Sequence, residues 1–150
     1  GEEDASLAVR ACLEMRVSLD KLNASRIERG KVPIKIGMGL HSGHAISGNI
    51  GSDERMEYTV IGDSGNQASR LEASTKAFGT DFLISDSVVE HTHENFIFEK
   101  AGDVEVKGKE KPLSLFKVRG YIDDDGEEVR ITTEYSDFAS ADADKVKVVS

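Results

Sequence analysis

The chain has 150 residues, of which 38% are hydrophobic and 31% charged, a composition that suits one globular domain with a core of its own. Its formal net charge is −9, and the segment from Tyr121 onward carries nine acidic and three basic residues. This acidic balance argues against nucleic-acid binding. The sequence also contains no apolar run of the roughly 18 residues that a membrane-spanning helix needs.

The first predicted element is a long amphipathic helix over Ala5 to Arg29, preceded by an acidic start that we expect to be frayed and ended by Gly30. Four apolar residues recur on it at three- and four-residue spacing, namely Cys12, Met15, Leu19 and Leu22. Such a stripe needs a covering surface, so a domain that starts on it is unusual. Cys12, the single cysteine, is interpreted as a small core residue in a reducing compartment.

Two strands are predicted next. The first covers Val32 to Leu40, a tight turn follows at Ser42-Gly43, and the partner strand covers His44 to Ile50. On the first strand, Gly37 and Gly39 leave one face without side chains. A bare face indicates close packing, either by a neighbouring helix or by a ligand.

A strand–turn–helix segment is predicted after a polar loop over Gly51 to Met56. The strand covers Glu57 to Ile61, Asp63 or Ser64 caps the helix, and the helix runs to Phe78.

Asn66 and Arg70 are four residues apart on this helix, so their side chains lie one above the other. An amide and a guanidinium beside a helix N-terminus suit a phosphate ester, because helix N-termini favour anions. The same pair also fits a solvated polar face, and spacing alone does not decide between the two interpretations.

The later elements are predicted to be short. In chain order they are a strand over Asp81 to Ile84, a helix capped by Ser85 and ending near His91, a strand over Asn95 to Lys100, a turn at Ala101-Gly102-Asp103 into Val104 to Lys107, a basic loop over Gly108 to Pro112 and a strand over Leu113 to Arg119. An extra strand is expected over Val129 to Thr133, and the rest of the tail is expected to be mobile.

Metal binding by this chain is not expected. The acidic cluster around Gly126 fails as a calcium loop, because Tyr121 and Thr132 would occupy positions that need carboxylates. The four histidines lack the cysteines or carboxylates that would complete a zinc site, so we interpret His41, His44, His91 and His93 as non-ligands.

The run from Ile34 to Leu71 reads IKIGMGLHSGHAISGNIGSDERMEYTVIGDSGNQASRL and resembles the class III nucleotidyl cyclase catalytic domain. The family pattern is G-I/M-G-I/L-H-x-G, then G-N-I/V-G, then R-x-x-Y-T-V-x-G-D-x-V-N-x-A-A/S-R-L. The sequence matches this pattern almost throughout, and Gly65 departs from it where the family usually has Val. The similarity continues more weakly to Gly120.

The resemblance implies an α+β fold, a ferredoxin-like sandwich, here lacking its N-terminal strands and helix. Residues 1–120 would form the C-terminal portion of the catalytic domain, and residues 121–150 an acidic, partly disordered extension. The implied reaction converts ATP to 3′,5′-cyclic AMP and pyrophosphate.

Four residues match functional positions of the family. The resemblance implies that Asn66 orients the ribose, that Arg70 stabilises the transition state, that Thr59 contacts the purine edge and that Lys107 binds the terminal phosphates. Thr59 favours adenine, although it is also an ordinary strand residue. Lys109 is the neighbouring candidate for Lys107, and a solvated basic turn is the alternative for both.

Two Mg²⁺ or Mn²⁺ ions, held by two aspartates, are also implied by the resemblance. Neither aspartate motif occurs in this sequence, so the ligands are expected outside the chain, and the chain is expected to be inactive alone.

The active site would form in a homodimer or with a complementary cyclase half. The alternative is a non-catalytic dimerisation or regulatory module. The resemblance implies a cytoplasmic location, alone or within a larger membrane-anchored protein, with no membrane contact by this segment.

Overall fold

In the computed structural model of the chain, the described residues are 2–46, 52–62, 70–92, 95–105, 110–140 and 148–149. They form three helices and seven strands. In chain order these are α1 (Glu2–Glu28), β1 (Ile36–Ile46), β2 (Ser52–Gly62), α2 (Arg70–Phe78), β3 (Phe82–Ser85), α3 (Asp86–His91), β4 (Phe96–Val104), β5 (Leu113–Ile122), β6 (Glu128–Arg130) and β7 (Val148–Val149). This mixture of helices and strands confirms the predicted α+β class.

The strands of the described part form one mixed sheet in the order β2-β1-β3-β5-β4-β7, with β6 paired to β5. β1 and β3 run parallel, and the other neighbours run antiparallel. All four residues of β3 are buried. Its uninterrupted apolar run Phe82–Ile84 is therefore the pattern of a strand covered on both faces.

Helices cover both faces of this sheet. Because successive side chains on a strand alternate between faces, Phe82 and Ile84 point to one side and Leu83 to the other. The first side carries the larger core, which is built from α1, α3 and four strands. On the second side, Leu83 packs with Val104 and Leu115, and Phe78 of α2 covers them.

Helix α1 is the longest element and begins at Glu2, three residues before the predicted start at Ala5. It ends in a Schellman motif, in which Gly30 has a φ of 71° and Lys31 N donates to Arg26 O at 2.8 Å. Of the predicted apolar stripe, Cys12 is buried, whereas Met15 and Leu22 are exposed.

The first hairpin differs from the prediction. Ser42 and Gly43 lie inside β1 and pair with Met56 and Arg55 of β2, so the predicted turn there was wrong. The predicted partner strand from His44 and the loop before Met56 were wrong as well, because His44–Ile46 continue β1 and Ser52–Met56 belong to β2. Ser-Gly favours a turn locally, but eleven consecutive pairs between β1 and β2 outweigh that preference.

A second predicted turn, at Ala101-Gly102-Asp103, is a β-bulge within β4 instead. The register against β5 shifts between Lys100 and Gly102. A Cβ atom at Gly102 would lie 2.6 Å from Phe78 Cε1, so glycine here admits the aromatic ring of α2. The bulge therefore serves helix packing rather than a change of chain direction.

The segment after residue 120 continues the fold. β5 runs on to Ile122, and Asp123 Oδ1 accepts hydrogen bonds from Asp125 N and Glu127 N in a turn that leads to β6. The extra strand was expected over Val129 to Thr133 and lies at Glu128–Arg130. The proposed division of the chain at Gly120 stays a prediction.

Candidate functional site

The four predicted site residues differ in how far the structure describes them. Thr59 lies in β2, and its Cα partner is Gly39 of β1. Arg70 is the first residue of α2. Asn66 and Lys107, together with the alternative Lys109, lie outside the described residues. The geometry of the site therefore rests on the β1–β2 strand pair and on α2.

Helix α2 lies directly against β1. A Cβ atom at Gly37 would lie 3.0 Å from Thr75 Oγ1, so the absence of a side chain permits this approach. Thr75 is buried. Of the two explanations for the bare glycine face, a neighbouring helix is therefore the one that applies at Gly37.

This contact defines which face of the sheet carries the candidate site. Gly37 and Gly39 are two residues apart in β1 and share a face, and residues paired across an antiparallel ladder do the same. Position 59, paired with Gly39, is therefore on the α2 face. The structure thus places the helix that begins with Arg70 on the same face of the sheet as position 59 of β2.

A buried ion pair holds the other side of the fold in place. Arg16 of α1 donates from Nε to Asp81 Oδ2 at 3.0 Å and from Nη2 to Asp81 Oδ1 at 2.6 Å. Its Nη1 donates to the carbonyl oxygens of Val118 and Ile131. Arg16 is 2% exposed. Arg16 thus joins α1 to three other parts of the chain. We therefore interpret the Arg16–Asp81 ion pair as structural.

Cys12 lies beside this ion pair and is unsuited to nucleophilic chemistry. Burial raises the pKa of its thiol to about 11, against a smaller opposing effect of the Arg16 cation. The thiolate is the reactive form of cysteine, and it is scarce at neutral pH when the pKa is this high. The structure therefore agrees with the interpretation of Cys12 as a core residue.

A hydrogen-bonded chain of polar side chains runs from β1 to α3. His41 Nδ1 and Ser85 Oγ are 2.9 Å apart, and Ser85 Oγ is 2.8 Å from Ser87 Oγ. Ser85 occupies the predicted N-cap position of α3, but its hydroxyl makes no capping bond. His91 Nδ1 donates to Ser87 O at 2.6 Å. These bonds tie β1, at a position two residues after Gly39, to α3 on the opposite face of the sheet.

A cationic pair on the α2 face was not anticipated from the sequence. Lys117 and Arg119 of β5 both bind the Asp137 carboxylate, and Arg119 also binds Glu99 at 2.8 Å. Hydrogen bonding from Arg119 lowers the pKa of Asp137. The two-residue spacing of the cations in a predicted strand was the available signal, but their acidic partners are distant in sequence.

The pair of divalent metal ions that the resemblance implies has no cluster of ligands among the described residues. Within these ranges, no group of three or more His, Cys, Asp or Glu side chains is placed to hold a metal ion. The acidic side chains of Asp81 and Asp137 are instead engaged by Arg16 and Arg119. The prediction that the four histidines are non-ligands stays a prediction.

Residues 2–120 match the sequence model of the adenylate and guanylate cyclase catalytic domain. None of the described helices combines the length and the apolar composition that a membrane span requires.

Several relatives carry cyclase names. Adenylate cyclase 1 of Rhizobium meliloti (strain 1021) is 33% identical over 118 residues, which is 79% of this chain and 18% of the relative. Adenylate cyclase of Anabaena cylindrica is 38% identical over 121 residues, which is 75% of this chain and 24% of the relative. The terminal-differentiation specific adenylate cyclase of Dictyostelium discoideum is 32% identical over 127 residues, which is 83% of this chain and 6% of the relative.

The chain thus spans between 6% and 24% of the length of these relatives. The match to the family model covers most of the chain and includes the whole segment from Ile34 to Leu71. The chain belongs to the adenylate and guanylate cyclase catalytic domain family.

Proposed function

We propose that the chain forms part of an adenylyl cyclase active site, which converts ATP to 3′,5′-cyclic AMP and pyrophosphate at a dimer interface. The observation that carries the proposal is the motif from Tyr58 to Leu71, which departs from the family pattern at Gly65 and contains Thr59, Asn66 and Arg70 in the family spacing. The adenylate cyclase names of the relatives support it. So does the placement of α2 on the face of the sheet that position 59 of β2 shares.

In the proposed reaction, the ribose 3′-hydroxyl oxygen attacks the α-phosphorus. The new P–O bond forms as the bond to pyrophosphate breaks, and the hydroxyl proton is lost. Negative charge then builds on the phosphoryl oxygens. Arg70 would stabilise this charge, because a guanidinium is a permanent cation with several donors in a fixed plane.

Three further residues would hold the substrate. Asn66, an uncharged donor and acceptor, would orient the ribose without neutralising Arg70. Thr59 would contact the purine edge through its hydroxyl group, and its presence favours adenine over guanine. Lys107, or its neighbour Lys109, would bind the terminal phosphates, for which a mobile ammonium is suited.

Metal ions enter this proposal from outside the chain. The family generally uses divalent metals, and two Mg²⁺ or Mn²⁺ ions would activate the hydroxyl and neutralise the phosphates. Their aspartate ligands would come from a second polypeptide or from sequence beyond this chain. The chain would therefore be inactive by itself. It would act with a complementary cyclase half that supplies the aspartates, or in a homodimer whose subunits carry them in sequence beyond these 150 residues.

A complementation assay tests the proposal. The partner is a cyclase catalytic domain that retains its metal-binding aspartates but carries alanine in place of its own Asn and Arg equivalents. Mixed with this partner, ATP and Mn²⁺, the chain should produce cyclic AMP, whereas either component alone should not. A mixture that forms a stable complex but no cyclic AMP would contradict the proposal.

A non-catalytic dimerisation or regulatory module is the second candidate. Gly65 favours it, because the family usually has Val at this position and glycine removes an apolar side chain beside Asn66. Substituting Gly65→Val in the same assay separates the two candidates. A gain of at most about threefold, from an active parent, agrees with the enzyme, whereas activity that appears only in the Val variant supports the module.

A further inference from the structure

Residues 131–140, here called the C-terminal strap, follow β6 and lie beyond the part of the chain that matches the family model. The strap bridges several elements. Ile131 O accepts from Arg16 Nη1 of α1 at 2.6 Å, and Ile131 N donates to Arg119 O of β5 at 2.9 Å. Phe138 N then donates to Gly79 O, just after α2, at 2.8 Å.

An ion pair fixes the strap in place. The Asp137 carboxylate accepts from Arg119 Nη1 at 2.7 Å and from Nη2 at 2.9 Å, and Lys117 Nζ lies at 3.2 Å. Bidentate arginine–carboxylate pairing is geometrically specific as well as strong. Arg119 is 9% exposed, so its guanidinium is held by the body of the domain. Inside the strap, Thr133 N donates to the buried Ser136 Oγ.

The strap and α2 meet backbone to backbone. Gly79 ends the helix with a φ of 63°, and a Cβ atom there would overlap the carbonyl oxygen of Phe138. The Phe138 N–H also satisfies the Gly79 carbonyl, one of the groups left without a partner where a helix ends. The strap thus fixes the C-terminal end of α2.

The other described contacts of α2 with glycine positions of the sheet lie in the same half of the helix. Thr75 packs on Gly37, and Phe78 packs on Gly102. Arg70 is the first residue of α2 and lies at the opposite end, about 13 Å along the helix axis from Gly79 in a helix of nine residues. A tilt of about 5° at the fixed end would therefore move the start of α2 by about 1 Å, a misplacement that costs up to about 10²-fold in catalysis.

We propose that the C-terminal strap is a positioning segment for α2, which latches the end of the helix through Asp137 and Phe138 and thereby sets where Arg70 meets the nucleotide. The catalytic part of this inference rests on the proposed cyclase function. The latch itself does not, because it concerns contacts within the folded chain.

The latch is tested by hydrogen exchange in the full 150-residue chain. Asp137→Asn breaks the ion pair, Phe138→Pro removes the N–H donor, and Glu134→Gln is the matched control, because it removes one charge from an exposed strap residue. The α2 amides of the first two variants should exchange at least about tenfold faster than in the wild type and the control. The β3 amides should be unchanged. Unaltered α2 exchange in both variants would overturn the proposal.

The catalytic consequence is tested in the complementation mixture, well below the melting temperature of each variant. Asp137→Asn should lower kcat about tenfold with KM for ATP within twofold, and Asp137→Glu should restore most of the loss. Lower melting temperature with unchanged kcat would mean that the strap only stabilises the fold, which overturns the positioning role. A wild-type mixture without cyclic AMP would contradict the proposed function, and the exchange result would then decide the latch alone.

Discussion

At the scale of single residues, Thr59 is the side chain that the proposal links to base selection. Replacing it with Cys, which guanylyl cyclases commonly carry at this position, should lower the ratio of ATP to GTP turnover in the complementation mixture about tenfold. Thr59→Asp, an adenylyl cyclase choice, should keep the preference for ATP. The ratio is obtained from kcat/KM for each nucleotide, and an unchanged ratio in the Cys variant would remove Thr59 from the purine site.

Arg16 carries a prediction about stability. Arg16→Leu leaves Asp81 buried without its cation, and removal of one member of a buried pair costs about 3–5 kcal/mol. The free energy of unfolding, measured by urea denaturation, should fall by that amount. Arg29 is exposed and lies directly after α1, so Arg29→Leu should change the free energy of unfolding by less than about 0.5 kcal/mol. Equal effects would mean that the pair is not an anchor.

The buried thiol of Cys12 should make the free energy of unfolding depend on pH. Its pKa is raised from 9.0 to about 11 in the folded chain, so the folded state retains the thiol proton when the unfolded state has lost it. This contribution to stability is present below pH 9 and is lost as the pH rises towards 11. Relative to Cys12→Ala, the wild type should lose about 2 kcal/mol of unfolding free energy across this window. Parallel curves for the two proteins would contradict the assignment.

At the scale of elements, the contact between α2 and β1 is open to a double-mutant test. Gly37→Ala places a methyl group 3.0 Å from Thr75 Oγ1 and should push the helix away from the strand. Cyclic AMP formation should fall about tenfold or more, because the displacement reaches Arg70. Adding Thr75→Ala removes the obstructing oxygen and should restore part of the activity. Additive losses in the double variant would show that the two positions are not coupled.

The elements also show what the sequence could predict. The helix from Ala5 was placed correctly because its apolar periodicity extends over many turns, and β3 and β5 were predicted close to their observed bounds. Ser42-Gly43 and Gly102 were assigned to turns because glycine favours them locally. Pairing of β1 with β2 and of β4 with β5 outweighed that preference. Such long-range pairing leaves no signal in a short window of sequence.

The site shows the same limit. Resemblance to the family motif identified Thr59, Asn66, Arg70 and Lys107 as candidates, and the residue pattern predicted a strand at Thr59 and a helix at Asn66 and Arg70. It could not show that Gly37 receives Thr75, nor that Asp81 binds an arginine 65 residues away. The partners of Arg119 are 18 and 20 residues distant. These contacts depend on the order of strands in the sheet, which local patterns do not specify.

At the scale of the whole molecule, the chain combines a family domain with a strap outside the family match. The domain supplies the strand and helix proposed to contact ATP, and the strap holds the far end of that helix. Buried Arg16 joins both parts, because it binds Val118 of the sheet and Ile131 of the strap. Catalysis and the folding of the C-terminal segment would therefore be linked.

The most direct measurement of the central claim is the turnover of the Arg70→Ala chain in the complementation mixture. If Arg70 stabilises the charge that develops on the phosphoryl oxygens, kcat should fall by about 10²–10³ while the complex with the partner still forms. Arg29→Ala serves as the control and should leave kcat unchanged. Near-normal turnover in the Arg70→Ala mixture would contradict the account.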